Sequence, residues 1–121
     1  MFKKDYKKRA RKKMSVRKNI FGTEVKPRMS VYRSLNQVYV QIIDDNSKKT
    51  LVAASSLSKE ISEQIGTAKS KVEKSIVVGE LIGKKATEAG IKSVIFDRNG
   101  FVYRGRIKAV AEGARKAGLK I

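Results

Sequence analysis

Regular alternation of apolar and polar positions begins at Met29. Residues 29–33 and 37–44 are rich in Val, Ile and Tyr, with Ser34-Leu35-Asn36 between them, which is the pattern of a β-hairpin. In the second run Val38, Val40 and Ile42 share one face while Gln37, Tyr39 and Gln41 share the other, so one face belongs to a core and the opposite face meets something polar. Asp44-Asp45-Asn46-Ser47 has the composition of a turn. Residues 50–55 then supply a third strand and complete an antiparallel meander.

Beyond residue 57 the period lengthens. Ser58 is placed to cap a short helix running through Ile61 and Ile65, with Gly66 as its end. Ser70 caps a longer helix over roughly residues 71–89, in which Val72, Ile76, Gly79, Gly83 and Ala86 follow three- and four-residue spacing on one face and Gly90 provides the stop. The Gly79/Gly83 spacing lets that helix lie close against a sheet. Residues 93–96 form a short apolar strand, and residues 106–117 an amphipathic helix with Ile107, Val110, Ala111 and Ala114 inward and Gly118 after it. The order β-β-β-α-α-β-α predicts an α/β fold: a mixed β-sheet, made of an antiparallel three-strand meander plus one further strand, packed with helices.

Charge divides the chain in two. Of its 121 residues 29 are Lys or Arg and 11 are Asp or Glu, a net charge of +18, and residues 1–28 hold 12 of the basic groups against 2 acidic ones. Lys3, Lys4, Lys7, Lys8, Arg9, Arg11, Lys12, Lys13, Arg17 and Lys18 repel one another, and the few apolar residues among them cannot bury enough surface to offset chain entropy. Residues 1–27 are therefore expected to form a flexible basic extension that orders on a polyanion, with Arg28 closing the basic stretch. Pro27 favours an extended entrance, so residues 28–121 form the globular domain.

The same composition narrows the chemistry. The chain has no Cys and no His, which excludes disulfides, thiolate or imidazole metal sites, Cys nucleophiles and every His base. Its apolar runs are short and interrupted by Gln41 and Glu80, so neither a membrane span nor a secretory signal is expected, and the cytoplasm is the natural compartment. Lys84 and Lys85 lie inside a helix, away from any strand-to-helix Gly turn, so no phosphate loop exists.

Two stretches carry binding chemistry in the body. In residues 96–106, FDRNGFVYRGR, a strand ends in a Gly-containing turn that presents Arg98, Tyr103, Arg104 and Arg106 within a few positions. Arg binds phosphate in a bidentate fashion and Tyr stacks on bases or ribose. Arg33, Tyr39 and Gln41 form a second candidate on the hairpin. Asp44, Asp45 and Asp97 are the carboxylates that a Mg²⁺-dependent nuclease would use, but the first two fall in a turn and Asp97 precedes Arg98, which it could orient. A DNA-binding or chromosome-organising protein also suits the charge, although no helix-turn-helix spacing, zinc site or heptad repeat is visible.

These residues resemble the bacterial family of the eighteenth protein of the large ribosomal subunit, and the resemblance covers nearly the whole chain. It runs through the basic tail, VYRSLNQVYVQIIDD at 31–45, TLVAASSLSKEI at 50–61, KATEAGI at 85–91 and FDRNGFVYRGRIKAVAEGARKAGLKI at 96–121, the most specific part. Leu35 stands where the family often has Asn, and Arg104 where it often has His. The resemblance implies a structural ribosomal protein with no enzyme activity, cofactor or small-molecule substrate, bound to 5S rRNA and helping attach it to 23S rRNA beside neighbouring proteins such as protein five. Carried over position by position, it implies contacts by Arg33, Ser34, Tyr39 and Gln41 in the hairpin and by Asp97, Arg98, Tyr103, Gly105 and Arg106 near the C-terminus, supplemented by the tail cations.

Overall fold

A computed structural model describes residues 21–121; the cations from Lys3 to Lys18 lie outside the described residues, as does most of the expected extension over 1–27. Four strands, β1 (Arg28–Arg33), β2 (Val38–Asp44), β3 (Lys49–Ser55) and β4 (Ile95–Asp97), form one sheet in the order β3-β2-β1-β4. The first three pair antiparallel and β4 pairs parallel to β1, giving the expected mixed sheet. A 3₁₀ turn (Lys59–Ile61) and the helices α1 (Ser62–Thr67) and α2 (Lys71–Glu88) connect β3 to β4, and α3 (Gly105–Lys116) follows β4.

Alternation sets the two faces of the sheet. Met29, Val31, Val40 and Ile42 point into the core and meet Val78 and Ile82 of α2 and Ile107 and Val110 of α3, all at most 1% exposed. Burial of such side chains stabilises by roughly 1.5–3 kcal/mol each. Helix α2 packs on β2 and β3, and α3 on β1.

The longer helices start and stop for local reasons. Ser70 Oγ accepts the Glu73 N–H at 3.2 Å and Glu73 Oε2 accepts the Lys69 N–H at 2.6 Å, satisfying donors that a helix start leaves open. Gly90 follows α2 with φ +81°, and Gly118 follows α3 with φ +102°, the left-handed conformations that end helices. The short helix departs from expectation at both ends. Ser58 Oγ accepts the N–H of Ser55 instead of capping the helix, and Gly66 lies inside α1, which continues to Thr67.

Two further differences come from packing. The glycines of α2 face α3 and not the sheet: a Cβ on Gly79 would lie 2.1 Å from the Val110 carbonyl oxygen, and one on Gly83 would meet Ala114 and Ala117. Because α2 is covered on two sides, its buried arc is wider than one stripe and takes in Val78, Leu81 and Ile82, while Val72 is exposed. The last strand begins at Ile95, later than expected. Val94 N–H donates to the Lys120 carbonyl and Lys120 N–H to that of Lys92, so the preceding residues pair with the end of the chain.

Candidate nucleic-acid interface

Two motifs far apart in sequence meet at one end of the sheet. The hairpin turn is closed by Ser34 N–H donating to the Gln37 carbonyl at 2.8 Å and by Gln37 N–H donating to Ser34 Oγ at 3.2 Å. Its outward carbonyls take cations from elsewhere: Arg106 of α3 donates to Ser34 O at 2.9 Å, and Lys71 at the start of α2 donates to Leu35 O at 2.7 Å. Arg106 lies near enough to Arg33 to feel its charge; burial first, and then Arg33, draw the Arg106 guanidinium below the ordinary arginine range. Arg33 in turn sits 4.9 Å above the ring centre of Phe101, a cation–π contact.

The loop that carries Phe101 has a defined shape. Asn99 and Gly100 have φ of +58° and +80°, and Phe101 N–H donates to the Arg98 carbonyl at 3.0 Å, so Arg98–Phe101 make the Asn-Gly turn that favours two left-handed residues. Arg98 folds back and donates to the Phe101 carbonyl at 3.1 Å, which uses part of its binding capacity inside the loop. Gly105 opens α3 with φ +57°, a conformation that a side chain would strain. Arg104 precedes it and is exposed.

A row of aromatic rings extends this pole across the uncovered face of the sheet. Tyr32 and Tyr39 are directly opposed on β1 and β2, their ring centres 6.3 Å apart, and remain 40% and 37% exposed. Phe101 meets Tyr32 edge-on at 5.7 Å. Gln41 stands two residues beyond Tyr39 on the same exposed face. On the other side of the loop Tyr103 packs edge-on against Phe96 at 5.5 Å and accepts a hydrogen bond from Arg115 at 3.3 Å.

Arg28 and Asp97 have a different place. The Arg28 guanidinium donates twice to Asp45, at 3.0 Å each, and once to Asp97 at 2.7 Å. Asp45 also accepts the Gly22 N–H at 2.7 Å, and Asp97 the Asn99 N–H at 2.9 Å, so one guanidinium ties four parts of the chain together. The Asp45 hydrogen bond is the largest influence holding the Arg28 proton above the usual arginine range, with burial opposing it and Asp97 adding to it. Asp97 therefore orients Arg28, not the adjacent Arg98 as its position suggested. With its side chain fully buried, Asp97 supports the loop from beneath through Arg28 and the Asn99 N–H.

Arg33, Ser34 and Arg106 meet at one pole, Tyr39 and Gln41 continue from it along β2, and Tyr103, Arg104 and Gly105 lie in the segment that leads into Arg106. Tyr32, Phe101, Lys71 and Arg115 join these residues without standing out in the sequence. The period-two reading of β2, applied equally to β1, puts Met29 and Val31 inward and Tyr32 outward, so that signal was present. Lys71 and Arg115 come from helices whose approach no local pattern reveals.

The acidic residues weighed for metal chemistry are committed to the backbone and to Arg28. Asp44 accepts the Asn46 N–H and the Ser47 hydroxyl, both at 3.0 Å, which is turn chemistry. Among the described residues no cluster of three or more acidic groups could hold a metal ion, and no helix is long and apolar enough to cross a membrane.

Comparison with known proteins gives a consistent result. The family described as ribosomal L18 of archaea, bacteria, mitochondria and chloroplasts matches residues 3–121. The large ribosomal subunit protein uL18 of Alkaliphilus oremlandii is 58% identical over 105 residues, covering 87% of this chain and 85% of its own. That of Clostridium perfringens is 55% identical over 122 residues, 99% of each chain. The uL18 protein of Dictyoglomus thermophilum is 52% identical over 107 residues, 88% of this chain and 87% of its own.

Proposed function

The chain belongs to the ribosomal L18 family, structural constituents of the large ribosomal subunit and not enzymes, and on that premise we propose that it binds 5S rRNA and helps attach it to 23S rRNA in the central protuberance. The observation that carries this reading is the convergence of Arg33, Arg106 and the Tyr32–Tyr39 pair from distant segments onto one surface. Cations placed beside exposed aromatic rings match the phosphates, riboses and unstacked bases of folded RNA. The basic run of residues 1–18 adds sequence-independent phosphate contacts, so the body supplies selectivity and the run affinity. Neighbouring large-subunit proteins, protein five among them, complete the surroundings of the site.

Competition at about 0.15 M salt between 5S rRNA, random RNA of equal length and duplex DNA tests this. The full chain is expected to choose 5S rRNA; equal binding to all three would remove the reading, and a preference for duplex DNA would favour the DNA-binding alternative. Repeating the titration across salt concentrations should show a steep log-log slope that flattens when residues 1–18 are deleted, by about 0.7–0.9 for each phosphate that the shortened chain no longer neutralises. An unchanged slope would mean that the basic run is not engaged.

A further inference from the structure

Beside Tyr39 the uncovered face of the sheet is indented. Tyr39 and Gln41 rise from β2, and the residues opposite them on β3 are Ser55 and Ala53, both small. Together with Ser58 they border a recess of about 240 Å³ open to solvent. One wall is the exposed Tyr39 ring, and the rim carries an amide and two hydroxyls. Ser55 Oγ accepts the Leu57 N–H and Ser58 Oγ accepts the Ser55 N–H, and each hydroxyl keeps its proton to donate and one further lone pair to accept with. At the outer edge Lys85 holds its ammonium against the Ala53 carbonyl, 3.0 Å away.

We propose that this recess takes one unpaired nucleobase of the bound RNA, an inference that rests on the RNA-binding reading above. A flat ring laid against Tyr39 gains stacking that tolerates any base, because every base has a π-face. Gln41 can both donate to and accept from the edge of such a base, as base recognition requires. A base inside a duplex is covered above and below by its neighbours and cannot present its face to Tyr39. The recess therefore selects a loop, bulge or end over a continuous helix. The surrounding charge agrees on one side: the Arg33–Arg106 pole is placed for a phosphate flanking an extruded nucleotide, whereas Lys85 on the other side is paired with Glu60 at 3.5 Å.

The test uses the full chain and three variants, Tyr39→Phe, Tyr39→Ala and Ala53→Leu, each titrated with 5S rRNA and with a fully paired RNA duplex, and each melted to verify folding. Tyr39→Ala removes the stacking wall, and Ala53→Leu fills the floor from an exposed position without disturbing the core. Both are expected to weaken 5S rRNA binding about tenfold while changing duplex binding little, and Tyr39→Phe to keep the original affinity. Folded variants that bind 5S rRNA as the parent does, or that weaken equally on the duplex, would overturn the recess and leave the broader reading standing. A parent chain with no preference for 5S rRNA would overturn both.

Discussion

Replacing Arg28 with Ala should destabilise the fold by about 3–5 kcal/mol, the range found when one member of a buried ion pair is removed, since three charge-assisted hydrogen bonds to Asp45 and Asp97 go with it. The effect is large because two carboxylates depend on the same guanidinium. Asp97 has no side-chain exposure and Asp45 is 19% exposed, so solvent screens these bonds far less than it screens a surface pair. The Asp97 end of the network also fixes the loop that bears Phe101, and through it the placement of Arg33. Thermal or denaturant unfolding of the variant measures the stability; a loss under about 1 kcal/mol, the worth of an exposed pair, would show that the network is not holding the sheet together. Because the folded state raises the Arg28 pKa, the stabilisation is complete at every pH below the ordinary arginine value and disappears only as pH rises through the higher folded one.

Gly79→Ala should lower stability by about 1–3 kcal/mol, as overpacking of a tight contact does. An alanine is the better helix former by about 1 kcal/mol, so the sign is set by space: the new methyl would lie 2.1 Å from the Val110 carbonyl oxygen, and backbone must move to admit it. Gly66→Ala is the matched comparison. Gly66 is also helical, but a Cβ there meets nothing within 4 Å, and that variant should gain up to about 1 kcal/mol. Opposite signs for the same substitution, read from denaturant midpoints, are the expected result; two equal changes would mean that α2 and α3 are not in close contact.

Much of this fold was legible in the residues because its elements are locally specified. The alternation of Val38, Val40 and Ile42 gave β2 its faces, and Ser70 and Gly90 bounded α2 with the chemistry that helix ends require. Where the pattern misled, the deciding partner was distant in the chain. Gly79 and Gly83 have the spacing of a close approach, but nothing local says whether a sheet or a helix approaches, and Val110 of α3 does. Asp97 sits next to Arg98 yet binds Arg28, because the parallel pairing of β4 with β1 sets Asp97 beside Ser30, two residues from Arg28.

The candidate site divides in the same way. Arg33, Tyr39 and Arg106 stood out by residue type and position, and the structure brings the first and last of these to one pole. That Arg106 reaches back across 72 positions to the Ser34 carbonyl could not be read from either motif. Arg28 looked like the last of the tail cations. Its neighbours Asp45 and Asp97 instead make it part of the support beneath the surface.

The most direct measurement of the central claim compares the parent chain with Arg106→Ala on 5S rRNA and on an unrelated RNA duplex at about 0.15 M salt. If the meeting of hairpin turn and C-terminal motif discriminates folded RNA, affinity for 5S rRNA falls about tenfold or more, as removal of a specific arginine does, while duplex affinity changes far less. Equal losses on the two RNAs would contradict it, for Arg106 would then be one more general cation.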